Sequence, residues 1–118
     1  EHLDTLAGTL PEGIALRTAP VAILVCCNTR QAGSDGGSWP QELGACVQNL
    51  VLQAYGEKLG TTWIGVYPQM HWVHQVKTLF HLSSEFVPFA IVAIGKAADK
   101  QAPVFERYDP LKIHFITR

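Results

Sequence analysis

The segment Ser38–Pro68, SWPQELGACVQNLVLQAYGEKLGTTWIGVYP, carries the pattern that decides the fold. It begins with a helix start. Ser38-Trp39-Pro40-Gln41 fits a capping box, in which the Ser38 hydroxyl accepts from a first-turn amide and Gln41 reaches back. Pro40 falls in the first turn, where its missing N–H costs nothing. Leu43, Val47, Leu50 and Ala54 recur at helical spacing, and Cys46, Val51 and Leu59 widen the stripe. Gly60, after Lys58-Leu59, predicts a left-handed C-cap with Lys58 at the negative end of the helix dipole. Thr61-Thr62-Trp63-Ile64-Gly65-Val66 then reads as a strand, ended by Tyr67-Pro68.

Upstream, Ala19 to Cys27 is short, β-branched and almost wholly apolar, the pattern of a strand covered on both faces. Asn28 to Ser38, with Gly33, Gly36 and Gly37, reads as a loop. Glu1 to Arg17 reads as loop with one short helix. Downstream, a helix is predicted from about Gln69 to His81. Val73, Val76 and Phe80 form its inner face, with Trp72 and Leu79 alongside. Phe86 to Gly95 is a third strand, with Pro88 placed at its start, where no ladder amide is required. The tail contains Pro103, Arg107, Asp109-Pro110 and Ile113-His114-Phe115; the last apolar stretch is too short for a core and reads as an arm that docks elsewhere. Alternating strands and helices ordinarily suggest a parallel α/β sheet. However, neither a Gly-rich dinucleotide turn nor a nucleotide-phosphate loop is present.

At 118 residues the chain suits one domain, residues 1–118. Hydrophobic residues make up 47% and charged residues 16%, which excludes disorder and hints at surface buried against a partner. A formal charge of −1, without a basic stripe, argues against nucleic acid and anionic membranes. The longest apolar run, Val21 to Cys27, is too short to span a bilayer. No signal-peptide pattern and no initiator Met open the chain, which fits a start in mid-protein. Cys26, Cys27 and Cys46 lack metal or redox spacing and read as buried reduced thiols, from which a cytoplasmic location follows.

Four stretches, in this order and spacing, are similar to the C-terminal part of the nitroreductase family. They are Ala19 to Cys26; Trp39 to Ala54, running on into Gly60 to Pro68; Val87 to Gly95; and Glu106-Arg107-Tyr108-Asp109-Pro110. The long helix carries Glu42 where the family usually has Asp, a conservative change at the positive helix end. The resemblance implies an α+β sandwich with a central, mostly antiparallel sheet flanked by helices. It implies FMN as cofactor, NAD(P)H as hydride donor, and a nitroaromatic, quinone or similar small-molecule acceptor. It also implies a homodimer whose interface holds the flavin, accounting for the apolar excess and the arm. The family's Arg-x-Ser-like and Pro-Ser-x-x-Asn-like segments, which grip the FMN phosphate and ring, do not occur in these residues. The expectation is therefore that the N-terminal part of the fold is absent and that this chain alone binds FMN poorly. The alternative is a non-catalytic flavin-binding or dimerisation module derived from the same fold.

By the same resemblance, Arg107 reaches the FMN phosphate with its bidentate guanidinium, and Lys96 is a second, weaker candidate. Each also suits a solvated surface cation. Ile64, Gly65, Val66 and Tyr67 correspond to the segment passing the flavin ring, where a backbone amide bonds the reactive ring nitrogen and Gly65 permits close approach. A strand-end or bulge glycine and a half-buried tyrosine are the structural alternatives. Trp63 and Trp39 either line the pocket or pack in the core. His71, His74 and His81 share a helix face, but no carboxylate or Cys completes a metal set. No side-chain nucleophile is required, and no Ser/His/Asp constellation stands out.

Overall fold

The computed structural model describes residues 2–32, 37–97 and 104–116. Helix α1 (His2–Thr9) and a 3-10 turn (Gly13–Arg17) precede strand β1 (Val21–Asn28). Helix α2 (Trp39–Gly56), strand β2 (Leu59–Gly65), helix α3 (Met70–Leu79) and strand β3 (Phe86–Lys96) follow, then a 3-10 turn at Pro110–Lys112. The sheet order is β1-β3-β2, and both pairings are antiparallel. This is the α+β architecture, and the connecting helices cover opposite sheet faces. Gly33 and Gly36 of the expected loop, and Pro103 of the tail, lie outside the described residues.

β3 is the central strand and is apolar on both faces, as a doubly covered strand requires. On one face Ile91 and Ala93 join Ile64 and Val66 of β2, Val73 and Val76 of α3, and Leu6, Ala7, Leu10 and Leu16. On the other, Ala90 and Val92 pack under Val47 of α2, with Val25, Leu50, Val51, Phe89 and Ile94 around them. The first seventeen residues thus do more than form a loop. Their apolar positions bury into the main core, a contribution hidden by the short helix and the glycines between.

Phe89 breaks the regularity of β3 on both sides. The register with β1 passes from Val25↔Ala90 to Cys26↔Pro88, so β1 skips Phe89. Toward β2, the Phe89 carbonyl accepts the amides of both Val66 and Tyr67, each at 3.0 Å. Two consecutive amides on one carbonyl is the hydrogen-bond pattern of a β-bulge. Pro88 lies inside β3 rather than at its start, and the shifted register beside it is the setting that accommodates a proline in a central strand.

Four local expectations need correction. The Ser38 hydroxyl accepts no first-turn amide; it donates to Glu42 Oε1 at 2.8 Å, because Ser38 already has helical backbone angles. The left-handed residue after α2 is Lys58 (φ 61°), not Gly60, which lies within β2. Cys46 is exposed, since α2 buries only its Val47–Ala54 side. β1 is an edge strand with one face bare near its start: Val21 and Ile23 are 53% and 38% exposed.

Gly13 fixes how the N-terminal segment closes. A Cβ there would lie 2.7 Å from the Leu6 carbonyl oxygen and 2.9 Å from Ala7 Cα, both backbone atoms that cannot swing aside. Gly13→Ala should therefore destabilise the chain by about 1–3 kcal/mol through overpacking, read as a lower urea midpoint at unchanged slope. An unchanged midpoint would show that the two turns separate at no cost.

Candidate functional site

The β2 terminus combines an exposed amide with a concave surface. In an antiparallel ladder, opposed residues alternate between pairs that exchange hydrogen bonds and pairs that do not. Val66 donates to Phe89, opposite it in register, so Gly65↔Ala90, one step back, is a pair without exchanged bonds. Because β2 is an edge strand, the Gly65 N–H points away from β3 toward the open side. Gly65 is exposed, and a Cβ built on it meets nothing within 4 Å.

This position opens onto a cleft of about 300 Å³ lined by Pro11, Glu12, Ile64, Gly65, Tyr67, Pro68, Gln69 and Trp72. Ile64 is buried and anchors the strand in the core. Tyr67 is half-buried, its ring 4.7 Å from that of Trp39, and the Tyr67–Pro68 peptide is cis. Trp72 comes from the first turn of α3 and contacts the core from its edge. Among the described residues, Glu12 is the only charged side chain in the lining.

The structure brings some of the expected site residues together and separates others. Ile64, Gly65 and Tyr67 share the cleft. Val66 is fully buried, and its amide is engaged by Phe89, so neither its side chain nor its N–H faces a ligand. Trp63 alternates to the α2 face, where its ring lies 6.3 Å from Phe89 and Trp39 lies 6.2 Å from Phe89. That aromatic group flanks the strand end from the opposite side of the sheet. Lys96 ends β3 six register positions from Ala90, about 20 Å away along the strand. It lines a second cleft of about 230 Å³, with Thr18, Thr61 and Thr62. Arg107 lies in the exposed tail and makes no hydrogen bond or ion pair with the other described residues.

Pro11, Glu12 and Gln69 were not visible as site residues in the sequence, and Trp72 was legible only as part of an apolar helix face. Pro11 and Glu12 reach the cleft through the packing of a segment that reads locally as loop, so no spacing signals them. Among the described residues, no group of three His, Cys, Asp or Glu side chains could hold a metal. None of the described helices is long and apolar enough to cross a membrane.

A bulged strand end, an outward amide and a cleft between sheet and helix mark the class: an α+β domain with a three-stranded antiparallel sheet and a cleft at one strand end. Comparison with known proteins makes this specific. A model of the nitroreductase family matches residues 5–96, and the chain belongs to that family. It is 32% identical over 114 residues to a Methanothermobacter thermautotrophicus protein provisionally named NADH dehydrogenase/NAD(P)H nitroreductase. That alignment covers 97% of this chain and 59% of the relative, so the chain spans under two thirds of the relative's length. A crystal structure from Clostridium acetobutylicum, provisionally named NADH oxidase, superposes with a TM-score of 0.88 at 27% identity, covering 96% of this chain and 68% of that one. A provisionally named nitroreductase from Desulfovibrio desulfuricans, solved in complex with FMN, superposes at 0.64 with 26% identity, covering 92% and 67%.

The cysteines are distinguished by burial. Cys27 is buried and Cys26 half-buried, and desolvation pushes both thiols above their ordinary range. Nearby Lys77 partly offsets this at Cys26, and Glu42 adds to it at Cys27. Since only the thiolate reacts, the raised values reduce the reactive fraction at pH 8. Titration of the folded chain with a disulfide reagent should show one fast thiol, Cys46, and two that react at least about tenfold more slowly. Three equally fast thiols would contradict this packing.

Proposed function

We propose that the chain is part of an FMN-dependent oxidoreductase that moves hydride from NAD(P)H to a nitroaromatic, quinone or similar acceptor. The observation that carries this is the Gly65 amide, unpaired in the ladder and directed off a sheet edge beside a cleft. Family membership and the FMN complex of the Desulfovibrio relative support the same reading.

FMN, when bound, supplies the hydride chemistry, and this chain's residues provide the surroundings. Gly65 donates its N–H to the polar edge of the flavin ring, and the missing Cβ allows that edge to approach. Ile64, Tyr67, Pro68 and Trp72 form a mostly apolar wall that excludes water and strengthens that hydrogen bond. Arg107 is the exposed cation proposed to match the phosphate; Lys96, in the separate cleft about 20 Å along β3, is the weaker candidate. No residue is needed as a nucleophile, in keeping with a cleft whose only charged group is one carboxylate.

The enzyme acts as a homodimer in a cytoplasmic setting. Val21 and Ile23 on β1, Leu52 and Tyr55 on α2, and Phe105, Tyr108, Leu111 and Phe115 in the tail are apolar groups left exposed by one chain. A second copy is the partner that covers such surface on both molecules at once. Light scattering should give a dimer at micromolar concentration, burying well over about 2,000 Å² in total. A stable monomer would remove this part of the reading.

The functional test is titration with FMN and with riboflavin, followed by anaerobic assay of NADH and NADPH oxidation with a nitroaromatic or quinone. Arg107→Ala should weaken FMN binding by about 1.5–3 kcal/mol, the worth of a charged hydrogen bond, and leave riboflavin nearly unaffected. Equal losses for both ligands would mean that Arg107 acts through folding. Flavin binding without NAD(P)H turnover, even when the remainder of the gene product is supplied, would favour a non-catalytic flavin-binding module.

A further inference from the structure

The cleft beside Gly65 contains one formal charge, and the structure explains why it is held there. Glu12 immediately precedes Gly13, whose close approach to Leu6 and Ala7 locks the turn against α1. Leu10 and Leu16, on either side of the turn, are 4% and 1% exposed, so the backbone carrying Glu12 is anchored at both ends. Glu12 makes no hydrogen bond or ion pair with any described residue, and no Lys, Arg or His lines the cleft with it. Among the described residues, no cation in the cleft balances its charge.

We propose that Glu12 tunes the flavin site by disfavouring the reduced cofactor relative to the oxidised one. The inference rests on the flavin reading above. The oxidised flavin ring is neutral, whereas the two-electron-reduced ring at neutral pH carries a negative charge on its pyrimidine portion. A carboxylate carried into the same cleft by an anchored backbone repels that charge and leaves the neutral ring almost untouched. Differential affinity for two redox states is a shift in midpoint potential. Glu12 lowers it, making the bound, reduced cofactor a stronger reductant that passes its electrons on more readily. Because Glu12 is exposed, much of its field runs through water and is screened by salt. The effect is therefore a few-fold.

The test uses Glu12→Gln, which keeps shape and removes charge. FMN is titrated into the chain together with the remainder of the gene product, in the oxidised state and, anaerobically, after chemical reduction; urea unfolding confirms equal stability. Glu12→Gln should bind oxidised FMN within about 1.5-fold of the parent and reduced FMN about threefold more tightly. At about 30 mV per tenfold for a two-electron couple, that is a rise of roughly 15 mV in midpoint potential. The difference should shrink in 1 M salt, where the screening length falls to about 3 Å. An unchanged ratio of the two affinities, or a salt-insensitive one, would overturn the role of Glu12 while leaving the flavin site intact. A parent chain that binds neither form even when the remainder of the gene product is supplied would overturn the flavin reading itself, and this inference with it.

Discussion

The carbonyl of Phe89 is where the structure's main constraints meet. β3 must pair with β1 on one edge and β2 on the other, and must be apolar on both faces because helices cover both. Such a strand has no free side on which to absorb an irregularity. The one it carries, at Phe89, is therefore transmitted to both neighbours: β1 loses a register position, and β2 gives two successive amides to one acceptor. The second consequence ends β2, turns the chain into Tyr67-Pro68, and brings the first turn of α3 beside the strand terminus. The bulge also lets Phe89 join Ala90 in the cluster under α2, where it meets Trp39 and Trp63.

The same frame accounts for surface the single chain leaves bare. With three strands and β3 in the middle, β1 and β2 are both edges, a liability unless shortened, charged or covered. α2 crosses the sheet but buries only Val47 and Ala54 completely, so it cannot also shield the start of β1. The described tail, residues 104–116, carries apolar side chains such as Phe105, Leu111 and Phe115 among charged ones, and they lie exposed.

How far the sequence could be read follows from where each element gets its stability. α3 matched its apolar spacing: Val73 and Val76 are buried, with Trp72, Leu79 and Phe80 beside them, because an amphipathic helix on one sheet face follows its period closely. β3 was legible as a continuous apolar run for the same reason. β1 looked identical by composition but lies at an edge, and composition cannot tell a covered face from one awaiting a cover. The ends of α2 were misread because Ser38 and Gly60 suit caps by type, whereas backbone geometry placed the cap interactions on other atoms. Of the candidate site, the strand end Ile64-Gly65-Tyr67 was visible through family resemblance. Glu12 was not, since its position depends on a tight approach between Gly13 and α1 across a segment with little periodicity of its own.

A site built this way draws little on side-chain identity. The proposed hydrogen-bond donor is a main-chain amide, oriented by ladder alternation and left accessible by a missing Cβ; the wall around it needs only to be apolar and of suitable size. Sequence can then drift far while the geometry persists, which agrees with a TM-score of 0.88 at 27% identity to the Clostridium structure. The converse also holds. On that proposal, polar side chains at the rim are places where substitution can alter ligand energetics without threatening the core. Glu12 and Gln69 occupy that position here: they are exposed, line the cleft and are absent from the buried clusters. A charge so placed can change the energetics of a bound ligand without altering the fold that holds it.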